Sequence, residues 1–110
     1  MGIRDDQLLP RTLDLMILQS VEAGPLHGYA IMEAIWSRSG ELFRVEEGAL
    51  YPALHRLQLK GWLGAEWGLS EANRRAKYYR LMAAGRKQLA RERAQWQRLV
   101  LGMARMLKPS

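Results

Sequence analysis

Glu47 to Leu81, EGALYPALHRLQLKGWLGAEWGLSEANRRAKYYRL, is the stretch whose reading decides the fold. Its first part places Leu50, Ala53, Leu54 and Leu57 on one stripe at helical spacing and leaves Gly48, Pro52 and His55 on the opposite side. A helix with such a small-residue face can press its backbone into a groove. Pro52 lies just past the first turn, and its ring strains the carbonyl four residues back, that of Gly48, the residue best able to adjust. Trp62 to Trp67 and Lys77 to Leu81 then read as strands, rich in aromatic and aliphatic residues with partial alternation, and the loop between them carries Arg74, Arg75 and Lys77. Helix, strand, basic loop and strand in that order predict the reading end of a winged helix. A cationic loop tip beside a groove-sized helix suits a nucleic-acid backbone.

Upstream of this stretch, Pro10 and Thr12 open a helix whose apolar positions Leu13, Met16, Ile17 and Val21 follow the three-and-four spacing, and it stops at Gly24 and Pro25. A second helix is expected from about Gly28, burying Tyr29, Met32, Ile35 and Trp36 and ending at Ser39 and Gly40. Glu41 to Val45 reads as a connector with room for one short strand. Glu46 or Glu47 then sits where a carboxylate meets the positive end of the third helix's dipole.

Downstream, a long polar helix from about Ala83 to Leu107 repeats Leu89, Trp96 and Met103 every seven residues, with Leu99, Val100, Met106 and Leu107 widening the stripe. Such a seam packs along another helix, although Glu92, Arg93 and Gly102 interrupt it as a continuous coiled coil. Two partners are open to it: the chain's own core and a second chain. The length, about 36 Å at 1.5 Å per residue, exceeds the small domain and favours the second chain. The expected fold class is therefore mainly α with a small β-hairpin, divided as a winged helix-turn-helix domain over 1–81 and a C-terminal dimerisation helix over 82–110.

Charge is more telling when split than when summed. Residues 1 to 50 hold 4 Lys and Arg against 8 Asp and Glu, whereas residues 51 to 110 hold 13 against 3, so a net of −4 stands beside a net of +10. The basic half points to a polyanion, with nucleic acid the first partner to consider. An anionic membrane fits less well, because the cations are dispersed and oppose no continuous apolar face. No apolar run approaches a membrane span, and Asp5 and Asp6 after Arg4 are unlike a signal peptide, which leaves a cytoplasmic location as the expectation. The absence of cysteine removes disulfides, thiolate metal sites and a thiol nucleophile. Neither a paired His and carboxylate motif nor a phosphate-cradling glycine loop is present, so no enzyme, cofactor or metal site is expected.

Several pieces together resemble one known family. GPLHGY (Gly24 to Tyr29), EGALYPALHRL (Glu47 to Leu57), GWLGAEWG (Gly61 to Gly68) and NRRAKYYRL with AAGRKQL (Asn73 to Leu89) are similar in order and spacing to the PadR family of bacterial transcriptional regulators. The likeness extends over nearly the whole chain and is to the short branch with a single C-terminal helix. The opening LLPRTLDLMIL (Leu8 to Leu18) resembles versions carried in many copies by Acidobacteria. The resemblance implies a homodimer, joined through its first and last helices, that binds a two-fold operator in double-stranded DNA and represses a nearby promoter. In some members of the family a Trp of the last helix lines an apolar space between subunits that takes flat aromatic compounds, which makes a small planar aromatic effector an expectation here. One departure is visible: the family commonly has a Thr capping the last helix, and Met82 stands there. Loss of a hydroxyl cap typically costs about 1 kcal/mol.

On this reading the DNA-contact candidates are Gly48, Ala49, Tyr51, Pro52, His55 and Arg56 of the third helix and Asn73, Arg74, Arg75 and Lys77 of the wing. The dimer-interface candidates are Leu89, Trp96, Leu99, Val100, Met103, Met106 and Leu107, with Trp96 also the candidate for an effector; interface core is its competing role. Tyr51 has two readings, a ring packed inward with its hydroxyl on a phosphate or a purely structural side chain. His27 reads as structural and locally bonded, Leu59 as covered by the last helix. Arg86, Lys87, Arg91, Arg93 and Arg98 read as a solvated face, of which only Arg86 and Lys87 are near enough to the domain to touch backbone phosphates. A winged-helix module that binds RNA or protein is the rival function, and its discriminator is the basic wing, which such modules often lose.

Overall fold

The computed structural model describes residues 3–4 and 10–110. The expectations placed on Asp5, Asp6, Leu8 and Leu9 lie outside the described residues. In chain order the elements are β1 (Ile3–Arg4), α1 (Pro10–Ser20), β2 (Leu26–His27), α2 (Gly28–Arg38), β3 (Phe43–Arg44), α3 (Glu47–Leu59), β4 (Leu63–Leu69), β5 (Arg75–Leu81) and α4 (Ala83–Met106). Helices α1 to α3 bury Leu13, Ile17, Leu18, Ile31, Ile35, Leu50, Leu54 and Leu57 against one another. Leu63, Tyr79 and Leu81 close that core from the sheet side and Leu89 from α4.

The mainly helical class with a small sheet is what the patterning predicts, but the hairpin has a third member. Leu26 and His27 pair antiparallel with Tyr79 and Tyr78, giving the order β2, β5, β4. A strand of two residues leaves no periodicity to read. Its effect is to tie the start of α2 to the root of the wing. The one short strand allowed for in the connector exists as Phe43–Arg44, parallel to Ile3–Arg4.

In α2 the buried face differs from the expected one. Gly28, Ile31 and Ile35 turn inward, Met32 and Trp36 are half-buried, and Tyr29 is exposed. Both frames are apolar at helical spacing, and Gly28, which decides between them, carries no hydrophobic signal. The helix is capped by His27, whose Nδ1 accepts from the Ala30 N–H at 3.1 Å, the local structural role expected of it. At its end Gly40 and Glu41 both have positive φ, reversing the chain towards β3.

Helix α4 spans 24 residues and starts at Met82 without a side-chain cap, in keeping with the missing hydroxyl. The Met82 N–H donates instead to the Trp62 carbonyl at 3.0 Å. Gly85 lies so close to that carbonyl that any Cβ would collide with it. Further along, Arg93 donates to Oε1 of Gln19 at 2.6 and 2.8 Å and to Glu22 at 2.5 Å, while Arg11 reaches Gln95 at 2.9 Å. Arg93 therefore belongs to an α1–α4 clasp and not to a solvated face. Hydrogen bonds from Arg93 and then Gln19 hold the Glu22 carboxyl below the usual carboxylate range. Leu89 is 1% exposed, fully inside the chain's own core, and has no surface to offer a second subunit. Beyond this clasp the helix leaves the domain, and Trp96, Leu99, Val100, Leu101, Met103, Met106 and Leu107 are all exposed.

Candidate nucleic-acid interface

Helix α3 separates its faces cleanly. Leu50, Ala53, Leu54 and Leu57 are buried, and Gly48, Pro52 and His55 are exposed on the opposite side, as the spacing predicts. Glu46 is the N-cap residue, its side chain making no cap bond, and Glu47 lies in the first turn. Pro52 has no N–H for the Gly48 carbonyl, which stands on the exposed side. Ala49 is half-buried on the flank of this face, packed against the core.

One side chain of this helix has a second role, and one expectation needs correction. Arg56 is tied to α1, its Nη2 donating to Oδ1 of Asp14 at 2.5 Å, so it braces α3 while its side chain stays partly exposed. The partner lies 42 residues away and could not be found by local reading. Leu59 is 75% exposed, so the last helix does not cover it.

Tyr51 at the edge of the face is partly exposed and sets the hydroxyl end of its ring over the start of α2. A Cβ on Gly28 would come within 2.5 Å of its Oη. Glycine at 28 thus admits the ring, and the phenol sits beside the N-terminus of α2. Burial first, and Tyr51 second, hold the neighbouring Tyr79 hydroxyl above the usual phenol range.

The wing is longer than expected. The β4–β5 ladder continues through Trp67↔Lys77 to Leu69↔Arg75, so Arg75 and Lys77 are strand residues and the loop is Ser70 to Arg74. Ser70 N–H donates to the Arg74 carbonyl at 2.8 Å and Asn73 N–H to the Ser70 carbonyl at 2.9 Å. Asn73 has φ +58°, a conformation Asn tolerates, so it shapes the turn. Hydrophobic patterning ended the strands where charge began. Cross-strand pairing carries them on, because one face of a wing is free to be charged.

Cross-strand register puts Trp67, Leu69, Arg75 and Lys77 on the face that, nearer the root, buries Leu63, Tyr79 and Leu81. Outside the core this face looks onto an open groove of about 950 Å³, with His27, Gly28, Tyr29 and Tyr51 on its other wall and Arg74, Arg75 and Lys77 on the wing side. The Arg75 guanidinium lies 4.7 Å from the Trp67 ring centroid, and the Lys77 ammonium 5.9 Å from that of Tyr79. Patterning singled out the cations but not Trp67 and Tyr29, the exposed aromatics beside them; opposite-strand alternation of Trp67 with Lys77 was the available signal. Among the described residues no cluster of His, Cys, Asp or Glu could hold a metal, and no helix is long and apolar enough to cross a membrane.

A three-helix core, a sheet whose hairpin projects as a cationic wing and a third helix with an open small-residue face define a winged helix-turn-helix of the DNA-binding kind. The model of the transcriptional regulator PadR-like family matches residues 17–91. The transcriptional regulator Rv3488 of Mycobacterium tuberculosis is 37% identical over 79 residues, covering 72% of this chain and 70% of its own. A transcriptional regulator from Clostridium thermocellum superposes with a TM-score of 0.80 at 28% identity, over 89% of this chain and 95% of that one. A PadR family transcription regulator from Clostridium difficile gives 0.75 at 28% identity, over 87% and 98%. This chain belongs to the PadR-like family of transcriptional regulators.

Proposed function

We propose that the protein is a cytoplasmic, homodimeric repressor of transcription that reads a two-fold DNA operator. The observation that carries the reading is the exposed face of α3 set beside a cationic wing. Gly48, Pro52 and His55, flanked by Ala49 and Tyr51, enter the major groove, and His55 meets a base edge. Asn73, Arg74, Arg75 and Lys77 follow the adjoining backbone. Residues 1–81 act as the DNA-binding domain and residues 82–110 as the dimerisation helix. The outer half of α4 supports this division, since Trp96, Leu99, Val100, Met103, Met106 and Leu107 form an exposed apolar stripe that a second copy would cover. Trp96 also borders two apolar hollows of about 340 and 370 Å³ along α1, and a flat aromatic effector is assigned there.

The test is a footprint upstream of the protein's own gene, followed by titration of operator and scrambled duplexes at several salt concentrations. His55→Ala should relax discrimination at one position per half-site by roughly 1–3 kcal/mol while sparing non-specific binding. Arg75→Ala should weaken both duplexes alike and lower the salt slope by about one per protomer. Equal loss on both duplexes for His55→Ala would refute the groove assignment.

A further inference from the structure

Trp67 is a large apolar side chain that the core does not use. It is 59% exposed, stands outside the buried cluster, and yet lies within β4, towards the wing tip, paired with Lys77. What it does touch is a cation. Arg75 sits diagonally across the ladder, opposite Leu69, and its guanidinium carbon lies 4.7 Å from the indole centroid. An arginine on a wing otherwise samples many rotamers, and fixing them on binding opposes association. A flat aromatic face that already holds the guanidinium removes part of that opposition, and it leaves the edge N–H donors free for a phosphate. Indole suits this best, because its face carries the strongest negative potential of the aromatic side chains.

We infer that Trp67 is a positioning residue for DNA binding, acting through Arg75 by stacking its cation in the groove between the wing and α2. The inference rests on the assignment of the wing to the DNA backbone. Its signature is coupling: Trp67 matters only while Arg75 is present.

The experiment is a double-mutant cycle of Trp67→Ala, Arg75→Ala and the pair, using a labelled random-sequence duplex across a salt series, with thermal melting to confirm folding. Trp67→Ala in the wild-type background should weaken binding roughly two- to fivefold, the size of an exposed cation–π contact. In the Arg75→Ala background it should change neither affinity nor salt slope. Trp67→Phe should restore part of the loss and Trp67→Leu none, which separates stacking from apolar cover. Multiplicative effects of the two substitutions, or Leu performing as well as Phe, overturn the inference while leaving DNA binding intact. Failure of the wild-type protein to bind duplex DNA at low salt overturns the backbone assignment as well.

Discussion

Arg56 of the third helix donates a hydrogen bond to Asp14 of the first, Nη2 to Oδ1 at 2.5 Å, with the carboxylate largely buried and the guanidinium partly exposed. The pair ties α3 to α1 beside the buried stripe of Leu50, Ala53, Leu54 and Leu57, which decides which residues face outward. Breaking it from the Arg56 side leaves a mostly buried carboxylate unpaired. Arg56→Ala should therefore destabilise the fold by about 1–3 kcal/mol, between the values for exposed and buried pairs. Urea unfolding with an unchanged m-value measures this. An Arg56→Ala protein that is as stable as wild type but has lost operator discrimination would return Arg56 to the groove.

Two glycines contact their neighbours in different ways, so their replacements should differ. At Gly85 the obstacle is the backbone carbonyl of Trp62, which cannot move without dragging β4. Gly85→Ala should cost at least about 1–3 kcal/mol and tilt α4. At Gly28 the obstacle is the Tyr51 ring end, on a partly exposed side chain that can swing outward. Gly28→Ala should cost under about 1 kcal/mol, the low end for added volume, but move Tyr51. Thermal melts of both variants, with a crystal structure or Tyr51 NMR shifts for Gly28→Ala, decide the matter; similar large losses at both sites would show Tyr51 to be rigid.

The Glu22–Arg93 contact predicts a pH dependence of known sign. Because the folded-state pKa of Glu22 is depressed, its stabilisation is full above the ordinary carboxylate value and disappears as pH falls through the lowered one. Glu22→Gln should lower the urea midpoint at neutral pH and have no effect once the wild-type carboxyl is protonated. A difference that persists unchanged into acid would mean that charge at Glu22 contributes nothing.

Assembly is tested on the exposed half of α4. If the proposed dimer forms through this stripe, replacing Trp96 and Met103 together with Glu should abolish it at micromolar concentration in sedimentation velocity, because the interface would bring like charges together. The same double substitution should leave the monomer folded, with a melting temperature lowered through Trp96, whose ring borders the hollows along α1. Persistence of a dimer would place the interface elsewhere.

The parts legible in the sequence were those whose signal is local. Leu50, Ala53, Leu54 and Leu57 recur at a spacing that only a helix satisfies, and the run of wing cations stands out by composition. What escaped depends on contacts distant along the chain. Asp14 claims Arg56, Gln19 and Glu22 claim Arg93, and Leu89 is claimed by the core instead of a partner. Tyr29 was misread because two apolar frames compete in α2, and the winner is chosen by a glycine pressed under Tyr51. Leu26 and His27 became a strand only because β5 lay beside them.

Gly85 and the Trp62 carbonyl also have a mechanical meaning. The last helix is seated there at one end, clasped to α1 as far as Gln95, and then continues with its apolar residues exposed to Met106. That is a lever with its fulcrum one residue before the first wing strand. Once the bonds of Arg93 and Gln95 to the first helix and its C-terminal end open, a rotation of about 10° at Gly85, at 1.5 Å of rise per residue, carries the helix tip through about 5 Å. In a dimer of the kind proposed, joined at the far ends, the motion would run in reverse: whatever wedged the helices apart would turn each fulcrum, and the two wings would change their span over the DNA. Spacing between half-sites would then be stored as an angle at a glycine and not as a length of chain.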